Sequence, residues 1–333
     1  MIRDRLPTSR YAPAKINLTL AVVASRDDGY HDLESLVLRI GLADQLTAAV
    51  LPLRATFDPE VDRLSVEGEP GLETPDNLVL RAVRALRRAA GRPLAPLGIR
   101  LRKEIPPAAG LGGGSSDAAA AIDLAAAAWG VPLTLDNRLR LADELGSDVP
   151  FFVTGAPAAV VGGRGEGVTP LPAPLGGLGL VLVTPRRGLS TTEVFTAYDR
   201  IEKRRTRLAR RGTAVATATL AREVTAELAR ALDAGCEGRG LLDLPLELRE
   251  ANDLWPAALS LMPGLDDLRE ALERRLGRPV LMTGSGPTLV ALYPSVAGAT
   301  RAARELTVSR TTRGEATIIA GDLSNPDPTW RTR

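Results

Sequence analysis

Aromatic side chains are scarce, with four Phe, four Tyr and three Trp among 333 residues. That leaves little stacking surface and argues against a module that binds single-stranded nucleic acid base by base. One cysteine, Cys236, excludes an internal disulfide and a cysteine-built zinc cage, and one histidine, His31, excludes a polyhistidine metal centre. Charge of either sign is not in excess: 42 basic against 40 acidic residues leave +2, without the basic surplus of a protein that neutralises a phosphate backbone. Met1-Ile2-Arg3-Asp4 lacks the apolar run of a signal peptide, and no run of 18 or more apolar residues is present. The expectation is a cytoplasmic enzyme acting on a small molecule, with neither nucleic acid nor membrane as partner.

What is there is aliphatic and glycine-rich. Hydrophobic residues make up 44% and charged residues 25%, the balance of a globular chain, and the length suits two domains. Strands are expected in RYAPAKINLTLAVV (10–23), beginning after Pro13, in 37–50, through Ile99, Leu101 and Ile105 into Pro106-Pro107, in 178–183, in the strand–turn segment PVLMTGSGPTLVALYP and in TIIAGDL near the end. Apolar residues at three- and four-residue spacing predict a helix after Asp76-Asn77, stopped by Gly91. Further helices are expected after the glycine loop up to Gly130, over 134–145, 191–210, 214–233 and 264–276, and near 295–306. The alternation of strands and helices predicts two α/β layered domains. KRRTRLARR (203–211) reads as a solvated helix face or a mobile loop.

The most unusual segment is AAGLGGGSSDAAAAIDLAAAAWG, a glycine loop feeding an alanine-rich helix. Gly110, Gly112, Gly113 and Gly114 let backbone N–H groups turn inward and approach an anion. The helix that follows adds unpaired N–H groups and its positive end, and Ser115 and Ser116 can cap it or donate to phosphate oxygens. A Walker loop is excluded, because the loop contains no Lys. A dinucleotide fingerprint fails because Ser115 stands at its third glycine. A polyphosphate cradle is the reading that survives.

PPAAGLGGGSSDAAAAI resembles the phosphate-loop motif of the superfamily named for the galactose, homoserine, mevalonate and phosphomevalonate kinases. PAKINLTL and MTGSGPTLVAL (282–292) are similar to its N-terminal and C-terminal motifs, in the right order. RDDGYHDLESL (26–36), PDNLVLRA, GSDVPFF, GRGEGVTPL and ANDLW resemble the diphosphocytidyl-methylerythritol kinase branch, with Trp255 where an acid is more usual. The resemblance implies an α+β fold: an ATP-binding and catalytic α/β domain over 1–174, a ferredoxin-like domain over 175–322, and a polar tail over 323–333. It implies ATP with Mg²⁺, direct transfer to a substrate hydroxyl, Asp148 as the base and Lys15 as its electrostatic partner. Asn17, Tyr30, His31 and Phe195 would hold the substrate, the rings about its cytosine, with Tyr198 an alternative to Phe195. Asn77, Leu78 and Lys103 would serve the adenine, and Ser116 or, more weakly, Glu166 the metal. No dedicated protein metal cage is expected, and a homodimer is left open.

Three other readings stand beside this one. A kinase of the same superfamily acting on homoserine, mevalonate or a sugar would lack Gly29-Tyr30-His31. A silent nucleotide-binding regulator would be free to lose Lys15 and Asp148. An RNA-associated module would need more basic charge and more aromatics than this chain has.

Overall fold

The computed structural model describes residues 8–51, 62–173, 178–209, 218–235, 242, 245–308 and 316–322. In chain order the early strands are β1 (Thr8–Asn17), β2 (Ala21–Ser25), β3 (His31–Val50) and β4 (Arg63–Glu67). Then come α1 (Leu78–Ala90), β5 (Leu97–Arg102), α2 (Gly113–Trp129), α3 (Leu135–Asp143) and α4 (Val149–Thr154). The strands β6 (Ala158–Gly163), β7 (Gly167–Leu171) and β8 (Gly179–Pro185) lead to α5 (Thr191–Ala209) and α6 (Ala218–Asp233). Short helices α7 (Pro245–Glu250) and α8 (Trp255–Leu261) precede α9 (Gly264–Leu276). The chain continues through β9 (Leu281–Met282), β10 (Leu289–Tyr293), α10 (Val296–Val308) and β11 (Ala316–Asp322).

These elements form two compact units, and the chain passes between them repeatedly. The first takes the residues up to Ala14, Leu42–Ile105 and Gly112–Gly155; the second takes Lys15–Gly41, Pro106–Leu111 and the chain from Ala156 onward. A single cut was expected at 174/175, a position outside the described residues, as are the tail 323–333 and Cys236. β1 also begins earlier than expected, at Thr8, and runs through Pro13. A proline is tolerated because, among the described strands, β1 pairs only with β3, so an N–H missing at Pro13 need not break a second ladder.

In the first unit β4 runs parallel to β5, and β5 pairs antiparallel with Gln45–Val50 of β3. Leu46, Ala48, Val66, Leu97, Ile99 and Leu101 point from these strands into a core shared with α1, α2, α3 and α4. Asn77 caps α1, its Oδ1 accepting from the Val79 N–H at 2.9 Å, and Gly91 ends it in the left-handed conformation. α2 is apolar around most of its circumference and is accordingly buried, with alanines that allow close packing against α1.

In the second unit Leu33–Leu38 of β3 pairs with β6, β6 with β7, and His31–Glu34 with β2. A separate four-stranded antiparallel sheet has the order β11-β8-β10-β9. Counting those strands along the chain, the order is fourth, first, third, second, with helices after the first and third: the ferredoxin-like arrangement. Its core gathers Val181, Val183, Leu289, Ala291 and Ile318 from the sheet with residues of α5, α8, α9 and α10. Trp255, the residue that replaces an acid in ANDLW, is buried there with the Arg269 guanidinium 3.7 Å from its ring centroid.

Candidate active site

The glycine loop opens α2 from Gly112, whose φ of +69° needs no Cβ, and the Ser116 N–H donates to the Gly112 carbonyl at 2.9 Å. A Cβ on Gly113 would stand 3.0 Å from Ile105 Cγ2 and 3.3 Å from Lys103 Nζ, so the loop lies directly on those side chains. A Cβ on Gly114 would stand 3.6 Å from Leu78 Cδ1, so these two expected nucleotide residues lie side by side. Ser116 is buried and its Oγ has no hydrogen-bond partner among the described residues. An orphaned hydroxyl in the first turn of a helix suits an anion or a metal ion held there.

Beneath the loop, the Lys103 ammonium lies between two carboxylates, paired with Asp44 and 2.9 Å from Asp117 Oδ2. Asp44 Oδ1 also accepts from the Glu104 and Ile105 N–H groups, at 2.6 and 2.9 Å. Burial pulls the Lys103 ammonium down, but Asp117 and Asp44 together outweigh it and leave its pKa raised. Burial pushes the Asp117 carboxyl up to about 8, Asp44 adding to the shift and Lys103 opposing it. Two acids sharing one cation in a dry site favour a retained proton. The ammonium expected at the purine edge is therefore enclosed, and Lys103 braces the loop from below. Asn77 is likewise engaged locally, with Nδ2 donating to the Leu72 carbonyl at 2.9 Å while Oδ1 caps α1. Asp148 stands at the N-terminal end of α4, half-buried, and its side chain makes no capping bond to that helix.

The second unit orients Lys15. Its Nζ donates to Asn17 Oδ1 at 2.7 Å, and its backbone N–H donates to the Leu111 carbonyl at 3.0 Å. The Asn17 amide nitrogen donates to Ser35 Oγ at 2.7 Å, and Ser35 donates in turn to the Thr19 carbonyl at 2.5 Å. The Asn17 backbone N–H donates to Thr283 Oγ1 at 2.7 Å. Asn17 was expected on the substrate; the structure also makes it the residue that holds the lysine. Gly110 meets the C-terminal glycine motif at the same place, since a Cβ there would stand 2.8 Å from the Thr283 carbonyl oxygen. Gly284, at φ +58°, would strike the Gly110 carbonyl at 2.9 Å. Asn252 secures this turn by donating to the Met282 and Gly284 carbonyls, each at 3.0 Å.

His31 opens β3 and is buried, stacked on Phe195 with ring centroids 4.9 Å apart and met edge-on by Tyr198 at 5.9 Å. Its Nε2 lies 2.8 Å from Asp199 Oδ1. Tyr30 is 54% exposed, and the Arg164 guanidinium lies 5.1 Å from its ring centroid. Phe195 is thus placed against His31, and Tyr198 joins it there instead of replacing it. Glu166 braces its own turn by accepting from the Arg164 N–H at 2.7 Å. Sequence reasoning missed Asp44, Asp117, Ser35, Thr283 and Asp199 as supporting residues. Asp117 and Thr283 stand inside motifs already quoted, and Asp199 falls four positions after Phe195 on one helix face.

The GHMP kinase N-terminal domain matches residues 77–156, and the GHMP kinase C-terminal domain matches residues 218–308. A 4-diphosphocytidyl-2-C-methyl-D-erythritol kinase of Streptomyces avermitilis is 37% identical over 305 residues, 90% of this chain and 93% of that protein. Its counterpart in Thermobifida fusca is 38% identical over 309 residues, 90% of this chain and 91% of that one. A crystal structure of a 4-(cytidine 5'-diphospho)-2C-methyl-D-erythritol kinase superposes with a TM-score of 0.66 at 32% identity, covering 96% of this chain and all of that one. With this likeness along nearly its whole length, the chain belongs to the 4-diphosphocytidyl-2-C-methyl-D-erythritol kinase family of the GHMP kinases.

Proposed function

We propose that this chain transfers a phosphoryl group from ATP to a hydroxyl of 4-diphosphocytidyl-2-C-methyl-D-erythritol, giving the 2-phosphate on the methylerythritol phosphate route to isoprenoid precursors. The observation that carries the phosphate-handling half is the glycine loop seated on a buried Lys103 brace, with the unpartnered Ser116 hydroxyl in its first helical turn. Backbone N–H groups of Gly112, Gly113, Gly114 and Ser115, at the start of α2, are suited to phosphate oxygens. ATP, with Mg²⁺ on its phosphates, supplies the phosphoryl group and offsets part of its charge. Ser116 Oγ would hold the metal, Leu78 would line the adenine side, and Gly110 would shape the loop.

Asp148 takes the proton from the acceptor hydroxyl as that oxygen becomes the nucleophile. Lys15, held by Asn17, offsets charge on the transferring oxygens. Tyr30, His31 and Phe195 receive the cytosine. Among the described residues no helix is long and apolar enough to cross a membrane. The test is ADP release by the purified chain with ATP, Mg²⁺ and the diphosphocytidyl substrate, with homoserine and mevalonate alongside. Turnover confined to the cytidylyl substrate is expected; turnover of another alcohol alone would transfer the assignment to another branch of the superfamily.

A further inference from the structure

Phe195, Tyr198 and Asp199 occupy positions i, i+3 and i+4 of α5, one face of that helix, and all three address a single imidazole. Phe195 covers the face of His31 at an interplanar angle of 24°, Tyr198 meets it at 87°, and Asp199 Oδ1 takes Nε2 at 2.8 Å. The His31 side chain is 5% exposed, so the ring cannot readily turn over to exchange its nitrogens. A carboxylate offers only acceptor oxygens, so the nitrogen facing Asp199 carries the proton. A neutral imidazole has one N–H; with it on Nε2, Nδ1 is an acceptor. No described residue is seen to bond Nδ1.

Cytosine presents an exocyclic amine, a donor, where uracil presents a carbonyl oxygen. An acceptor nitrogen pairs with the first and repels the second. We infer that Asp199 is a positioning residue that makes His31 select a cytosine over a uracil by fixing its tautomer. The inference rests on the reading of the chain as a kinase of a cytidylyl substrate and adds to it the origin of base selection. Nothing in the transfer chemistry involves Asp199, so its loss should move base preference and leave the chemical step in place.

Because His31 is the only histidine, long-range ¹H–¹⁵N spectra of the ¹⁵N-labelled protein report its tautomer without assignment. With the imidazole neutral, the intact chain should show the Nε2–H form. Asp199→Asn, whose amide can donate as well as accept, should show a mixture or the Nδ1–H form, and Asp199→Glu should return it toward Nε2–H. In kinetics with the diphosphocytidyl substrate and its diphosphouridyl analogue, Asp199→Asn should narrow the ratio of kcat/KM values about tenfold. The change should lie in KM, with kcat held within about threefold and the ratio regained in Asp199→Glu. An Nδ1–H form or an imidazolium in the intact chain, or a base ratio that Asp199→Asn leaves alone, overturns the inference. An intact chain that turns over no cytidylyl substrate overturns the proposed function, and the base-selection role with it, whatever the spectra show.

Discussion

At the scale of single residues, the site depends on side chains whose task is set by what holds them. Lys15 has its direction from Asn17, and Asn17 from Ser35 and Thr283. The Asp148 carboxylate makes no capping bond to α4, so replacing it by Asn removes no cap from that helix. Asp148→Asn is expected to lower kcat by about 10²–10⁴, the range for losing a general base, while MgATP binding measured by calorimetry stays unchanged. Near-normal turnover would remove Asp148 from the proton-transfer role. The residues proposed to carry chemistry could be singled out in the sequence because they stand inside short motifs at fixed spacing. Their supports were not. Asp44 lies 59 positions from the lysine it holds, and no local pattern marks a carboxylate as the partner of so distant a cation.

At the scale of elements, helices were read well wherever cap, period and stop coincide, as in α1 between Asn77 and Gly91. β3 was read short. It runs from His31 to Val50, and its first residues, behind the Gly29 turn, are fixed by pairing with β2 and β6 and not by their own alternation. α4 and α8 are too brief to show a period, and each carries a proline at its second position, Pro150 and Pro256. The turn between β9 and β10 is the element most sensitive to change. Gly284→Ala would place a methyl group 2.9 Å from the Gly110 carbonyl and 3.3 Å from Asn17 Oδ1, at a positive φ. Destabilisation of at least about 1–2 kcal/mol is expected from the backbone conformation alone, read as a lower urea midpoint. Turnover should fall with it, because Asn17 must shift. An unchanged midpoint would show that the turn relaxes without touching Asn17.

At the scale of the whole molecule, the alternation of elements pointed to two α/β layered domains, and the α+β class with its ferredoxin-like order came from family resemblance. The division of the chain was not, because compactness depends on contacts between distant segments. Stability of the whole should carry the signature of one buried proton. Asp117 keeps its proton to about pH 8 when folded, whereas an unfolded aspartate releases it near its ordinary value of 3.8. Between those values the native state binds the extra proton, so stability falls as pH rises, by up to about 1.4 kcal/mol per pH unit. Lys103 is protonated in both states across that window and adds no slope. Asp117→Asn should therefore flatten the decline of Tm over this range, and parallel curves for the two proteins would remove Asp117 as its source.

The interleaving of the two units also sets a timetable for synthesis. The described residues of the first unit are all made by Gly155, whereas the second needs Lys15–Gly41 together with segments beyond residue 280. The Asn17 N–H meets Thr283 across 266 positions. A chain emerging from its N-terminus can therefore shape the start of α2 long before Lys15 acquires its lasting direction. A ribosome-bound intermediate of this kind would carry a formed start of α2, with Gly110 and Lys15 still waiting for the segment around Thr283, so competence for transfer arrives late and all at once.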